Sequence, residues 1–132
     1  MAAGIVRRLA DAHCHIQDIR LWDGWKDVLL RAKSAGVDII GVNATSSGDY
    51  ERVEELSRHG IGGLEVCVSY GLHPYCAKSG AVDGWLEEVR RRLEDDKSAC
   101  LGECGLDKSK KGLEYCAWEE QVDVCRKQLQ LA

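Results

Sequence analysis

The sequence predicts an α/β fold built on a parallel sheet, and three observations carry that prediction. Short apolar runs alternate with stretches of helical periodicity. Anchors within those runs (Leu9, Val37, Val66 and Ala99) recur about every 30 residues, the spacing of repeated βα units. The runs are largely apolar rather than strictly alternating, which suits strands covered on both faces. Crossovers in such a sheet are right-handed, and chemically active residues gather at the carboxyl ends of its strands.

Taken in order, the β-like runs are Ile5–Asp11, Val37–Val42, Leu64–Leu72 and Ala99–Cys104. Trp25, Val28, Leu29 and Ala32 fall at i, i+3, i+4 and i+7, one helix face, and that helix stops at Gly36. A second helix carries Val53 and Leu56 and runs from near Ser47 to near Gly60. A third carries Trp85, Leu86, Val89 and Leu93, with Asp83 as its expected N-cap. A fourth carries Trp118, Val122, Cys125 and Leu129 as its core stripe and runs to the end of the chain.

The 132 residues are 30% charged and 45% hydrophobic, the composition of a globular chain rather than a disordered or collagen-like one. Residues 1–132 are read as one domain, with a core of their own. No run approaches the ~18 apolar residues of a membrane span, so no membrane partner is expected. A secretory signal is not expected either. The net charge of −4 argues against indiscriminate nucleic-acid binding, while leaving room for a local phosphate site. Lys108, Lys110 and Lys111 form the one dense basic stretch, read as a solvated loop or a phosphate contact. Seven cysteines cannot all pair within one chain and are read as reduced thiols of an intracellular protein, cytoplasmic or nuclear. Cys67 and Cys100 are expected to pack as small hydrophobes.

Polar residues cluster where the strand-end rule places them. Asp11-Ala12-His13-Cys14-His15 closes the first run, and alternation sets Asp11, His13 and His15 on one face, with Cys14 turned away to pack. Two imidazoles so placed can reach one metal. Tyr70-Gly71-Leu72-His73-Pro74 closes the third run, and His73 either caps an ordinary βα turn or joins the site. Gly102-Glu103-Cys104-Gly105-Leu106-Asp107 closes the fourth. A buried carboxylate at Glu103 needs a partner, and a cation is the natural one. Two nitrogens and one oxygen suit zinc, manganese or iron without deciding among them. His59 is read as a surface residue. A structural zinc site on Cys100 and Cys104 has only one CxxxC pair to support it.

These three motifs, in this order, resemble the TatD family of metal-dependent deoxyribonucleases, and the segment from Gln121 to Ala132 looks like that family's fourth-helix segment. The resemblance implies the first four βα units of a TIM-type barrel. It implies hydrolysis of DNA phosphodiester bonds with one or two divalent metal ions (Mg, Mn or Zn). It makes His13 and His15 metal ligands and Glu103 a ligand with a catalytic role. His73 and Asp107 fall near the metal or the substrate phosphate, and Asp11 is a supporting residue. Lys108 stands where the family often has an aromatic residue. The family's later ligands (a His on the fifth strand, a His on the sixth, an Asp on the eighth) have no counterpart before Ala132. A complete barrel needs about 200 residues or more. The expectation is therefore a half-barrel or open parallel sheet flanked by helices, from a truncated chain or one that needs a partner, with open edges at the first and fourth strands that invite self-association. Two alternatives accompany the nuclease reading: an inactive fragment that binds metal or a partner chain, and a structural module holding metal through its cysteines.

Overall fold

The computed structural model describes residues 8–132. Its strands are β1 (Leu9–Cys14), β2 (Val37–Asn43), β3 (Glu65–Tyr70) and β4 (Cys100–Leu101). All are parallel and lie in the order β1-β2-β3-β4, so the sheet is open, with β1 and β4 at its edges. The helices are α1 (Ile19–Trp22), α2 (Trp25–Ser34), α3 (Tyr50–Arg58), α4 (Ala77–Gly80), α5 (Trp85–Asp95), α6 (Lys110–Tyr115) and α7 (Trp118–Leu129). A 3-10 turn over Pro74–Cys76 leads into α4.

Side-chain alternation sorts the sheet into two unlike faces. Ile40 and Val42 of β2 and Val68 and Tyr70 of β3 are buried, and they share one cluster with Leu29 of α2, Val53 and Leu56 of α3 and Val89 of α5. The neighbours on the other face are open: Glu65 and Cys67 of β3 are exposed. The expected cover on both faces is therefore realised on one. Cys67 and Cys100, expected in the core, are both exposed on the strands. Their apolar surroundings in the sequence belong to neighbours that point the opposite way.

Three element boundaries differ from the sequence reading. The first strand pairs with β2 from Leu9 through Cys14, carrying the sheet to the edge of the His motif; residues 5–7 of the expected run lie outside the described residues. The fourth run pairs only over Cys100 and Leu101. Beyond them the Gly102 N–H still reaches the Tyr70 carbonyl, but the Glu103 N–H donates to the Ala44 carbonyl, carrying the chain across towards the end of β2. Helix α5 is capped by Gly84 in a left-handed conformation (φ 83°) rather than by Asp83.

Helix α7 is the largest correction. Its expected core stripe is peripheral: Leu129 is 63% exposed, and Trp118, Val122 and Cys125 are only half-buried. The face turned inward is Gln121, Val124 and Gln128. Two buried amides set this rotation by hydrogen bonding. Gln128 accepts from the Leu72 N–H at 2.7 Å and donates to the Leu72 carbonyl at 3.2 Å. Gln121 accepts from the Asp107 N–H and donates to the carbonyl of Cys116. Leaving those backbone groups unpaired in the interior would cost about 1–3 kcal/mol each, comparable to what burying one more apolar side chain would return.

Candidate metal centre

The site forms where three strand ends converge. Between Asp11 and Cys14 the β1–β2 register shifts: Asp11 lies opposite Ile40 and Cys14 opposite Val42, so β1 carries one extra residue. This bulge corrects the expectation that Asp11, His13 and His15 share a face. Asp11 stands opposite a helix-facing residue, and its Oδ1 accepts the His13 N–H at 3.1 Å. It supports the turn of the chain without joining the cluster. Cys14 packs against the core as expected, and burial pushes its thiol pKa up.

His13 and His15 project to a common point, their Nε2 atoms 3.3 Å apart. Glu103 meets both, with Oε1 3.3 Å from His13 Nε2 and Oε2 3.4 Å from His15 Nε2. Among the described residues these three form the one grouping of His, Cys, Asp or Glu side chains able to hold a metal ion. Cys100 and Cys104 do not enter it. His59 is exposed at the end of α3, as expected.

The hydrogen bonding around His15 tests whether a cation fits. Its Nδ1 lies 2.8 Å from the Asn43 carbonyl oxygen, which can only accept. Nδ1 therefore carries the proton, and Nε2 presents a lone pair. That lone pair faces Glu103 Oε2, a buried oxygen without a hydrogen-bond partner. A lone pair against an orphaned carboxylate oxygen is repulsive unless a metal ion or a proton lies between them, and two imidazole nitrogens with one carboxylate are a donor set for the former. The donor set and its polarity thus fit a divalent ion.

A buried polar network holds His15 in this state. Gln17, 1% exposed, donates to the Asn43 carbonyl at 2.6 Å and to Asp49 Oδ2 at 3.1 Å. Asp49 also accepts from the Thr45 N–H, the Thr45 hydroxyl and the Ser46 N–H. Gln17 and Asp49 were not singled out in the sequence. The signal available was faint: a glutamine two residues after His15, and an acidic residue before a helix.

His73 caps its βα turn and lies beside the cluster without entering it. Its Nδ1 accepts the Tyr75 N–H at 3.1 Å, capping the 3-10 turn. Its Nε2 therefore carries the proton, 4.0 Å from Glu103 Oε1. The Gly71 backbone makes this approach possible: a Cβ there would lie 2.8 Å from Gln128 Oε1 and 2.9 Å from the Gly102 carbonyl. Asp107 stands further out. The Ser109 backbone N–H, then its hydroxyl and the Tyr75 phenol, hold the Asp107 carboxyl below the usual carboxylate range. Gly112 lets α6 close over it, since a Cβ there would meet the Asp107 backbone oxygen at 2.5 Å.

A parallel sheet with two imidazoles and a carboxylate at the carboxyl ends of its strands has the architecture of a TIM-barrel hydrolase, here through its first four βα units. Comparison with known proteins gives the family. The family model described as TatD related DNase matches residues 10–132, and the chain belongs to that family. It is 32% identical over 149 residues to human deoxyribonuclease TATDN3, covering 99% of this chain and 49% of that protein. It is 29% identical over 108 residues to the 3'-5' ssDNA/RNA exonuclease TatD of a Pantoea species, covering 81% of this chain and 39% of that one. The crystal structure of a TatD homologue from Escherichia coli superimposes with a TM-score of 0.81 at 30% identity, over 97% of this chain and 48% of that one. The chain spans about half the length of the curated relatives it matches. No helix among the described residues is long and apolar enough to cross a membrane.

Proposed function

We propose that residues 1–132 are a single domain contributing the first half of a TatD-type metal-dependent hydrolase site that cleaves DNA phosphodiester bonds. The observation that carries this reading is the convergence of His13, His15 and Glu103, with an unpartnered Glu103 oxygen facing the lone pair of His15. His13, His15 and Glu103 would hold one or two divalent ions, Mg, Mn or Zn. Such an ion supplies Lewis acidity, making hydroxide available near neutral pH and offsetting charge on the phosphate. The protein's own groups divide the remaining tasks. The Asn43 carbonyl keeps the His15 proton on Nδ1. His73, with its proton on Nε2, would donate to a phosphate oxygen lying beside Glu103. Asp107 orders the loop leading to α6. The seven free thiols fit a reducing, intracellular setting, cytoplasmic or nuclear.

Full-chain protein supplied with Mg²⁺, Mn²⁺ or Zn²⁺ is expected to cleave DNA and a small phosphodiester, and His13→Ala to abolish both. Absence of cleavage with every metal sinks the hydrolase reading for this chain.

A second reading is favoured by the open edges of β1 and β4: a non-catalytic chain that binds metal and a partner chain, or a second copy of itself, through those edges. A stable oligomer by light scattering, holding metal without cleaving DNA, is the outcome that selects it.

A further inference from the structure

The Tyr75 N–H sets the His73 tautomer through Nδ1. That bond does not set the tilt of the ring, because the last side-chain torsion of a histidine is broad and packing must fix it. The packing comes from the same residue. The Tyr75 ring meets the imidazole edge-on, with centroids 4.7 Å apart and planes at 87°, a favoured geometry for two rings. Tyr75 is held in its turn. Its phenol bonds to the Asp107 carboxylate, a contact that raises the phenol pKa. Tyr115 of α6 stacks on its ring, with centroids 4.8 Å apart and planes at 10°. Lys111 Nζ lies 5.7 Å from its centroid. Asp107 is pinned as well: its N–H donates to the buried Gln121 Oε1 at 2.8 Å, and its Oδ1 accepts the Ser109 N–H at 2.7 Å.

We propose that Tyr75 is a positioning residue for His73, a wedge that transmits the fixed geometry of Asp107 and α6 to the plane of the imidazole. Two βα units thereby agree on the direction of one proton: His73 and Tyr75 follow β3, while Asp107 and Tyr115 follow β4. The direction matters because a hydrogen bond weakens steeply once its angle falls below about 120°. With Nε2 4.0 Å from Glu103 Oε1, ring tilt decides whether the Nε2 proton reaches a phosphate oxygen beside that carboxylate. Without the wedge the imidazole can tilt and turn over, which exchanges its two nitrogens and mixes its tautomers. Tyr75 itself is no member of the metal cluster. The proposal rests on the hydrolase reading for the task of His73, and adds what holds His73 to it.

The test is nitrogen NMR of the imidazoles in the full, ¹⁵N-labelled chain, in EDTA and at mildly alkaline pH, where histidines are neutral. In the unmodified chain His73 is expected to show two well-separated ring-nitrogen resonances, the pattern of a single tautomer with its proton on Nε2. Tyr75→Ala should draw the two together as the tautomers mix, while the exposed His59 keeps its pattern. Tyr75→Phe, which keeps the ring and loses the phenol, should move them part of the way. So should Tyr115→Ala, whose side chain is 55% exposed and whose truncation spares the core. With metal and a small phosphodiester, Tyr75→Ala should lower kcat by roughly 100-fold, the cost of a misplaced group, with KM unchanged. Unmoved His73 resonances in both Tyr75→Phe and Tyr115→Ala, mixed tautomers already in the unmodified chain, or a loss of cleavage borne by KM alone would each overturn the positioning role. A single His73 tautomer that responds to these substitutions, in a chain that cleaves nothing with any metal, would instead overturn the hydrolase reading and leave the hold of Tyr75 on His73 standing.

Discussion

The two sides of the site are held by opposite means. Beneath His15 lies a buried network in which Gln17 is 1% exposed, Asp49 is 8% exposed, and the two side chains bond to each other, to backbone groups and to the Thr45 hydroxyl. On the rim, Tyr75, Asp107, Lys111 and Tyr115 meet solvent and are held by ring stacking and by a single buried amide, Gln121. The contrast separates two requirements. A ligand atom whose lone pair must point at one place needs its tautomer and ring plane set by groups that cannot move. Groups on the rim carry no such constraint and tolerate exposure of their side chains. His13 lies between the two: its side chain is 52% exposed, and its ring contacts are His15 and Glu103.

The contrast can be broken most sharply at the network's output. His15→Ala is expected to remove metal binding altogether, read by equilibrium dialysis, with little change in melting temperature because the imidazole is partly exposed. Asp49→Ala should weaken metal affinity by about 10- to 100-fold, as loss of an outer-shell partner does. It should also cost stability, because the Thr45 and Ser46 N–H groups lose their acceptor. On the rim, Gln121→Ala is expected to lower stability by about 1–3 kcal/mol, with a melting shift of several degrees for a domain of this size. Its metal affinity should be unchanged, since Gln121 touches only the α6 side. An equal loss of metal affinity in Gln121→Ala and Asp49→Ala would erase the distinction between the two sides. The smallest effect belongs to Arg20→Ala. Its guanidinium beside Asp18 holds that carboxyl well below the usual range, but both groups are at the surface. No resolvable change in melting temperature at neutral pH is expected.

Much of the site could be read from the sequence because strand ends are marked locally. His13 and His15 follow an apolar run, His73 precedes the only proline, and Glu103 stands among glycines. Each signal lies within a few residues, and parallel packing then brings the ends together. The parts not legible depend on contacts distant in sequence. The bulge in β1 exists only in register against Ile40 and Val42. The rotation of α7 follows from Gln128 bonding Leu72, a partner on another unit of the fold. Apolar periodicity favoured Trp118, Val122, Cys125 and Leu129, and it fails there because buried backbone groups at the ends of β3 and β4 need polar partners more than that helix needs another apolar face. Cys67 and Cys100 escaped for a related reason: an apolar run does not tell which of its two faces will be covered.

If His13, His15 and Glu103 hold a divalent cation, metal titration of the full chain shows it most directly. Isothermal titration with Mn²⁺ and Zn²⁺ on the unmodified chain and on Glu103→Gln should give one or two ions bound to the former. In Glu103→Gln binding should be lost or severely weakened, with the fold retained by circular dichroism. Equal binding by the two proteins, or none by the unmodified chain, would contradict the account.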